Sequence, residues 1–490
     1  MSLHALAGIE LASQPSKDVT FPTAVKTRTV GPTIEELDAI YLPEYPTSKT
    51  PSRLDSGLVT PDLEASLPPT PHQHLTSTAV VPTIWFPYMN RWRVLAACMV
   101  YLANGINDSS TGALIPYLES WYIIGYAVVS LIFVTNAVGF ILAAFFADAI
   151  CDRLGRAKSL MLSECIIAVG YVIIATTPPF GAVIAAYLVL GFGSALNLAY
   201  NNVYCAGLAQ PTIILGLAHG SYGIGGILGP VMATALVSSG VIWSRFFFIT
   251  IGLRALCLVL VGWSFWSYEE EEMTHFSQNL ERLASQQRAE EGQPSKIQML
   301  GQALANRTVL IGALFIFAYQ GAEVADSGWF ISFLINYRDG DPAHVGYVTS
   351  GFWAGITVGR FVLTHVAHRV GEKTFVFGLG IASIVFQTIA WLVPSIIGDA
   401  VAISILGLVL GPIYPCAQTV FSRLLPRKLQ VVGVSFISSA GSSGGAVVPL
   451  MTGLIAQAVG TYALHPICIA FFAAMLVGWA LLPKVDKRRE

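Results

Sequence analysis

From Trp92 onward, the sequence is a succession of apolar runs, each long enough to cross a lipid bilayer. About 20 consecutive apolar residues suffice for one membrane-spanning helix, which satisfies its own backbone hydrogen bonds. Two sets of six runs are predicted. The first set lies near 94–117, 123–146, 159–177, 182–205, 213–238 and 244–266, and the second near 308–335, 345–366, 374–394, 399–421, 431–457 and 464–483. We therefore expect an all-α membrane protein with twelve transmembrane helices.

Composition excludes the main alternatives. Of the 490 residues, 54% are hydrophobic and only 11% are charged, whereas a soluble domain carries about 25% charged residues. A net charge of −2 provides no basic field for a nucleic acid. Seven cysteines, an odd number, include no CxxC pair, so neither a disulfide framework nor a zinc site is indicated. We expect no enzyme, no metal, no cofactor and no nucleic-acid partner, but a lipid bilayer and a small-molecule solute.

The chain divides into five regions. Residues 1–91 contain 12 of the 26 prolines but only 3 of the 45 glycines, a composition that is typical of a disordered tail. The central segment 267–307 is polar, with two amphipathic stretches that are expected to be surface helices. The predicted regions are a disordered cytoplasmic N-terminal tail (1–91), an N-terminal six-helix bundle (92–266), a cytoplasmic central loop (267–307), a C-terminal six-helix bundle (308–483) and a cytoplasmic C-terminal tail (484–490).

The distribution of basic residues predicts the orientation. With a cytoplasmic N-terminus, the inner segments after the first span collect sixteen Lys and Arg residues, against Arg245 and Arg338 on the outer side. Cytoplasmic loops carry the excess of Lys and Arg in membrane proteins. Both termini are therefore expected in the cytoplasm. We expect a monomer in the plasma membrane, with a vacuolar or other internal membrane as the alternative.

The two sets of spans are related by an internal repeat. Gly105, Asn107 and Gly112 of the first span correspond to Gly321, Glu323 and Gly328 of the seventh, each 216 positions later. Gly225, Gly226 and Pro230 of the fifth span correspond to Gly444, Gly445 and Pro449 of the eleventh, each 219 positions later. Two parallel six-helix repeats that face each other are typical of transporters.

The loop after the second span reads Asp148-Ala-Ile-Cys-Asp152-Arg153-Leu-Gly155-Arg156-Ala-Lys158. It resembles the loop signature of the major facilitator superfamily, which has a glycine where Asp148 stands. The resemblance implies a latch at the cytoplasmic gate, and a basic loop with a turn glycine is the alternative. The implied gate residues are Asp148, Asp152, Arg153, Gly155 and Arg156, with Arg369 in the second repeat.

Within that superfamily, the chain resembles the fucose permease-like branch, and in particular its fungal bypass-of-stop-codon group. The resemblance is carried by Asn104 to Asp108 and Gly112 to Glu119 in the first span and by Gly321 to Trp329 in the seventh. It covers residues 92–483. It implies the major facilitator fold and a transport function, with coupling acids in spans 1 and 4.

Polar side chains within the apolar runs are the candidate functional residues, because such groups are costly in a bilayer. In span 1, Asn104 and Asp108 lie on one helix face, and Gln320 and Glu323 do so in span 7. Amides and phenols both donate and accept hydrogen bonds, as solute hydroxyls do. The candidate solute-binding residues are Asn104, Asn197, Asn201, His219, Tyr222, Gln320, Trp329, Tyr414 and Gln418.

Asp108 and Glu323 are the candidate proton-coupling residues, because a carboxyl group inside a membrane is suited to taking up and releasing a proton. The alternative is a structural role, such as a pair with Arg254 or Arg360. Span 4 contains asparagines where the resemblance implies an acid, so Glu323 is expected to take the second role.

These observations favour a secondary active transporter that moves a small, polar, sugar-like organic solute by alternating access, coupled to protons. The alternative is an efflux antiporter for a specialised metabolite, since Gly216, Gly225, Gly229 and Pro230 fit the spacing of an antiporter signature. Close helix packing through small residues explains the same glycines. A transporter-like nutrient receptor is a third interpretation.

Overall fold

The computed structural model describes residues 82–271 and 296–483, and every regular element in these two stretches is a helix. The first stretch contains α1 (Asn90–Tyr122), α2 (Tyr126–Val129), α3 (Leu131–Ala175), α4 (Phe180–Ala206), α5 (Pro211–Ser238) and α6 (Phe246–Phe265). Most of the predicted tail, the first amphipathic stretch of the central loop and residues 484–490 lie outside the described residues.

The second stretch begins with α7 (Lys296–Leu304), which covers the second amphipathic stretch of the central loop. It continues with α8 (Arg307–Arg338), α9 (Pro342–Val345), α10 (Val348–Val358), a π-helical turn (Gly359–Leu363) and α11 (Thr364–Val370). The remaining helices are α12 (Glu372–Leu392), α13 (Ile396–Leu410), α14 (Ile413–Leu424), α15 (Arg427–Val459) and α16 (Leu464–Leu481). Below, α1–α6 are called the first helix group and α8–α16 the second helix group.

Nine helical stretches within residues 82–271 and 296–483 are long and apolar enough to cross a membrane. The chain is therefore a multi-pass membrane protein, and the prediction of an all-helical fold is confirmed. One of the nine stretches, Tyr126–Ala175, covers two of the predicted spans, 123–146 and 159–177. The count of twelve spans and their arrangement in two repeats stay predictions.

Two glycines separate consecutive helices at corresponding loops. Gly155 interrupts α3 with φ 77° and ψ 168°, so that the helical segments on either side of it run in different directions. Gly371, which is 216 positions later, adopts φ 97° between α11 and α12. A positive φ costs little only for a residue that lacks a Cβ atom. The glycine of the predicted gate loop is therefore required by the backbone itself.

Glycines also allow α1 and α5 to pack with their backbones in contact. A Cβ atom added at Gly225 would lie 2.1 Å from the carbonyl oxygen of Leu102, and one added at Gly105 would lie 2.1 Å from the carbonyl oxygen of Tyr222. Membrane helices associate through such close contacts, because lipid offers no hydrophobic driving force between them. Gly225 and Gly229, which fit the antiporter spacing, thus have a packing role against α1.

The other face of α5 meets the second helix group. The ring of Trp353 lies over Gly226, the side chain of Thr357 over Gly223 and the ring of Phe361 over Gly220. Further along α5, Thr234 lies against Gly346. One glycine-rich helix therefore contacts α1 on one side and the second helix group on the other.

We expect Gly225→Ala to destabilise the protein, because the new methyl group has no space against the backbone of α1. The cost of such overpacking is about 1–3 kcal/mol. The matched control is Gly216→Ala on the same helix, where no atom of the described residues, apart from the adjoining backbone of α5, lies within 4 Å of an added Cβ atom. Thermal unfolding of the detergent-purified variants measures both effects. Equal melting temperatures for Gly225→Ala and wild type would contradict the close packing of α1 and α5.

Candidate functional site: a central polar cavity

A cavity of about 170 Å³ lies between the two helix groups. The first helix group lines it with Asn107, Asp108, Thr111, Gly112, Ile132, Phe133, Asn136, Ala137, Phe140, Tyr187 and Tyr222. The second lines it with Gln320, Glu323, Val324, Ser327, Gly328, Trp353, Ser442 and Gly445. Its wall therefore combines amides, hydroxyl groups, two carboxyl groups and aromatic rings.

Asp108 is held in the cavity wall by neutral hydrogen-bond donors. Its Oδ2 atom accepts a hydrogen bond of 2.8 Å from the hydroxyl group of Tyr222, and its Oδ1 atom accepts one of 3.0 Å from Nδ2 of Asn107. The first of these bonds joins α1 to α5. It depends on the backbone contact at Gly105, which brings Tyr222 within reach of α1.

Glu323 lies across the cavity on α8 and has different partners. Its Oε1 atom is 3.9 Å from an Nη atom of Arg360. Its Oε2 atom is buried and accepts no hydrogen bond from the described residues. Arg360 belongs to the π-helical turn Gly359–Leu363, a distortion that is rare and frequently found at functional sites.

Of the predicted solute-binding residues, the structure places Tyr222 and Gln320 in the cavity wall. Both predicted coupling residues, Asp108 and Glu323, line it as well. Sequence reasoning did not single out Asn136, Tyr187 and Ser442 as site residues. Asn136 is the only amide within the predicted span 123–146. A single amide in an otherwise apolar span is a signal by which Asn136 could have been found. Tyr187 and Ser442 carried no comparable signal.

Three predicted residues belong to a buried network instead. Asn104 donates through Nδ2 to Oδ1 of Asn197 (3.0 Å), which donates in turn to Oε1 of Glu164 (2.9 Å). Arg254 forms an ion pair of 3.2 Å with Glu164 and donates to Oδ1 of Asn104 at 2.5 Å. Asn201 donates to the backbone oxygen of Asn197 (2.9 Å). All five side chains are buried, so the network holds α1, α3, α4 and α6 together.

The remaining predicted solute-binding residues also lie outside the cavity wall. Trp329 is 1% exposed and donates through Nε1 to the backbone oxygen of Pro449 (3.0 Å). Tyr414 and Gln418 both donate to the hydroxyl group of Ser438, at 3.3 and 3.0 Å. His219 is exposed on α5, and its ring packs edge-on against Tyr101.

The predicted gate loop is held in part by residues that follow α6, Tyr268 and Glu269. The backbone N–H of Arg156 donates to Oε1 of Glu269 (2.5 Å), and Nη1 of Arg156 donates to the backbone oxygen of Tyr200 (2.8 Å). The guanidinium group also lies over the ring of Tyr268. The other predicted gate side chains are exposed: Asp148, Asp152, Arg153 and Arg369.

The chain resembles known proteins in sequence. Bypass of stop codon protein 6 of Saccharomyces cerevisiae is 27% identical over 417 residues, which are 81% of this chain and 84% of that protein. The glucose/mannose transporter GlcP of Bacillus subtilis is 22% identical over 368 residues, which are 74% of this chain and 88% of that protein.

The fold is that of a solved transporter. The crystal structure of a D-xylose-proton symporter superposes with a TM-score of 0.64 at 15% identity, covering 81% of this chain and 98% of that chain. The sequence profile of the Major Facilitator Superfamily matches residues 97–449 and 327–490. Two of these relatives are named as a transporter and a symporter, and members of this superfamily are transporters, not enzymes. The chain belongs to the major facilitator superfamily.

Proposed function

We propose that this protein is a secondary active transporter that moves a small, polar, sugar-like solute across a membrane by alternating access coupled to protons. The observation that carries the proposal is the polar cavity between the two helix groups. Gln320, Asn107 and Asn136 supply amides that donate and accept hydrogen bonds, as a sugar hydroxyl requires. Trp353 offers an aromatic face for the apolar side of a sugar ring.

Two relatives support the sugar-like class. The first, a relative in sequence, is named a glucose/mannose transporter. The second, a relative in fold, is the solved structure of a D-xylose-proton symporter. Both resemble this chain over about three quarters or more of its length. We carry over from them the class of solute and the coupling ion, and no individual sugar.

The cavity lining supports two six-helix repeats, and with them twelve spans in the regions 92–266 and 308–483. Four lining positions of α1 and four of α8 correspond at the offset of 216. Asn107, Asp108, Thr111 and Gly112 are matched by Glu323, Val324, Ser327 and Gly328. Repeats that present equivalent faces to a shared site are characteristic of transporters.

We infer that Asp108 and Glu323 take part in proton coupling. A charged carboxyl group between membrane helices is costly, so uptake of a proton and of a solute can be linked through it. The ring of Tyr222 packs edge-on against Trp353 at 6.0 Å between centroids, while its hydroxyl group binds Asp108. A proton or solute at Asp108 is thereby linked to the interface between the helix groups.

The contacts between the helix groups support a state that is closed on the predicted outer side. Thr234 and Gly346 touch at the outer end of α5, and Ser130 touches Gly453 near the outer end of α15. The gate loop at Gly155 and Arg156 is assigned to the cytoplasmic side. In this arrangement both termini are cytoplasmic, and the protein acts as a monomer in the plasma membrane.

The transport activity is tested with purified protein in liposomes that contain a trapped pH dye. Adding a neutral monosaccharide outside should acidify the interior, because each solute enters with a proton. Polyols and small organic acids complete the panel, and empty liposomes are the control. Silence across the panel with folded protein would contradict sugar import and favour export of a specialised metabolite. Solute binding without flux would indicate a receptor.

The coupling residues are tested by Asp108→Asn and Glu323→Gln. Each change keeps the shape of the side chain and removes its ability to exchange a proton. We expect both variants to fold and to lose proton-driven uptake, measured as solute accumulation under an imposed pH gradient. Glu119→Gln is the control, since Glu119 lies on α1 but outside the cavity wall. Wild-type accumulation by both variants would remove the coupling assignment.

Alternating access is tested by a reversible lock. A Cβ atom added at Gly346 would lie 3.0 Å from Cβ of Thr234, near the separation of about 3.5–4.5 Å in a disulfide. In the double variant Thr234→Cys/Gly346→Cys, oxidation should stop uptake and a reductant should restore it. Each single variant, oxidised alone, controls for the native cysteines. Full uptake by a protein with the disulfide formed would show that these ends need not separate.

A further inference from the structure

The charges around the central cavity do not balance. Two carboxyl groups line it, those of Asp108 and Glu323, and among its lining residues there is no Lys, Arg or His. Glu323 has the guanidinium group of Arg360 at 3.9 Å. Asp108 accepts hydrogen bonds only from Tyr222 and Asn107 among the described residues, and both of these are neutral. The two acids therefore differ in whether a cation stands beside them.

Among the described residues, the wider surroundings of Asp108 do not supply a free cation. The nearest basic group in the first helix group is Arg254, which already forms an ion pair of 3.2 Å with Glu164. Glu323 adds a second negative charge across the cavity. The titratable and charged groups around Asp108 are Tyr222 on α5, Tyr187 on α4, Tyr171 and Glu164 on α3, Arg254 on α6, Glu323 on α8 and Arg360 on the π turn.

A carboxylate in a cavity between membrane helices requires compensation. Two groups from outside the protein can provide it: a proton, or a cationic group of the solute itself. A protonated amine would form a charge-assisted hydrogen bond with the carboxylate, which is stronger than a bond between neutral groups. The aromatic rings of Trp353, Phe133 and Phe140 line the same cavity and attract cations through their faces.

We propose that Asp108 forms an ammonium-binding subsite, and that the solutes of this cavity include polyhydroxylated amines, of which an amino sugar is the simplest case. This inference rests on the proposed function and names a substrate class for it. When the ammonium group binds, the O–H bond of a protonated Asp108 breaks and its proton leaves to the aqueous phase. The net charge of the cavity is the same whether Asp108 holds a proton or its carboxylate holds the ammonium group. The amine is therefore transported in exchange for a proton, whereas a neutral sugar enters together with a proton.

The test compares three probes of similar ring structure: glucosamine, N-acetylglucosamine and glucose. Equilibrium binding is measured with the full chain in lipid nanodiscs, by competition against a labelled hexose. Glucosamine should bind about tenfold more tightly than N-acetylglucosamine, because only glucosamine offers a charged donor. The preference should disappear as pH rises from about 7 to about 9, because the amine loses its proton over this range and with it the charge that the carboxylate recognises.

Variants locate the subsite. Asp108→Asn should bring the affinities for glucosamine and N-acetylglucosamine together, while Glu119→Gln, which neutralises an acid on the same helix outside the cavity wall, should keep the preference. If Asp108→Asn does not fold, the ammonium subsite is tested by the wild type alone, through the pH dependence of its preference for glucosamine over N-acetylglucosamine. Equal affinities for glucosamine and N-acetylglucosamine at every pH, with glucose bound, would overturn the ammonium subsite and leave the sugar transporter standing. Failure of folded protein to bind any of the three probes would overturn both.

Discussion

Polar groups of membrane helices must form their hydrogen bonds and ion pairs within the protein, because the hydrocarbon core of a bilayer offers none. The packing of these helices and the lining of the cavity both depend on which polar groups pair with one another. The first helix group satisfies some of them in a buried network around the ion pair of Arg254 and Glu164. Others, such as Asp108, are turned towards the cavity. Removing one partner of a buried ion pair leaves an uncompensated charge, which costs several kcal/mol. Such pairs fix the helices, and the cavity keeps the groups that remain available to a solute.

The second helix group also satisfies buried polar groups within the protein. Gln387 donates through Nε2 to Oδ1 of Asp326 (2.9 Å) and lies 3.1 Å from Nδ1 of His465, and all three side chains are buried. This cluster joins α8, α12 and α16 on the side of α8 away from the cavity. Asp326 is adjacent in sequence to Ser327, which lines the cavity. One turn of α8 thus serves both the packing of its own helix group and the wall of the cavity.

The sequence predicts the helical fold well and the site only in part. Long apolar runs predict membrane helices because length and hydropathy alone decide whether a segment spans a bilayer. The polar positions of a span are equally visible in the sequence, and two of them, Tyr222 and Gln320, line the cavity. Which polar residues bind one another is a matter of three-dimensional contact. Asn104 and Asn197 look like solute ligands in sequence, but they bind each other within the network around Glu164.

At the offset of 216 positions that defines the predicted repeats, the two walls of the cavity share some residues and differ in others. Positions 111 and 327 both carry hydroxyl groups, and positions 112 and 328 are both glycine. In contrast, Asp108 corresponds to Val324, and Glu323 corresponds to Asn107. The acids therefore stand at neighbouring rather than equivalent positions of the two repeats. A solute without internal symmetry needs such a difference, because equivalent walls would bind its two ends equally well. The glycines at 112 and 328 allow close helix packing, while the residues at 107, 108, 323 and 324 give each side of the cavity its own chemistry.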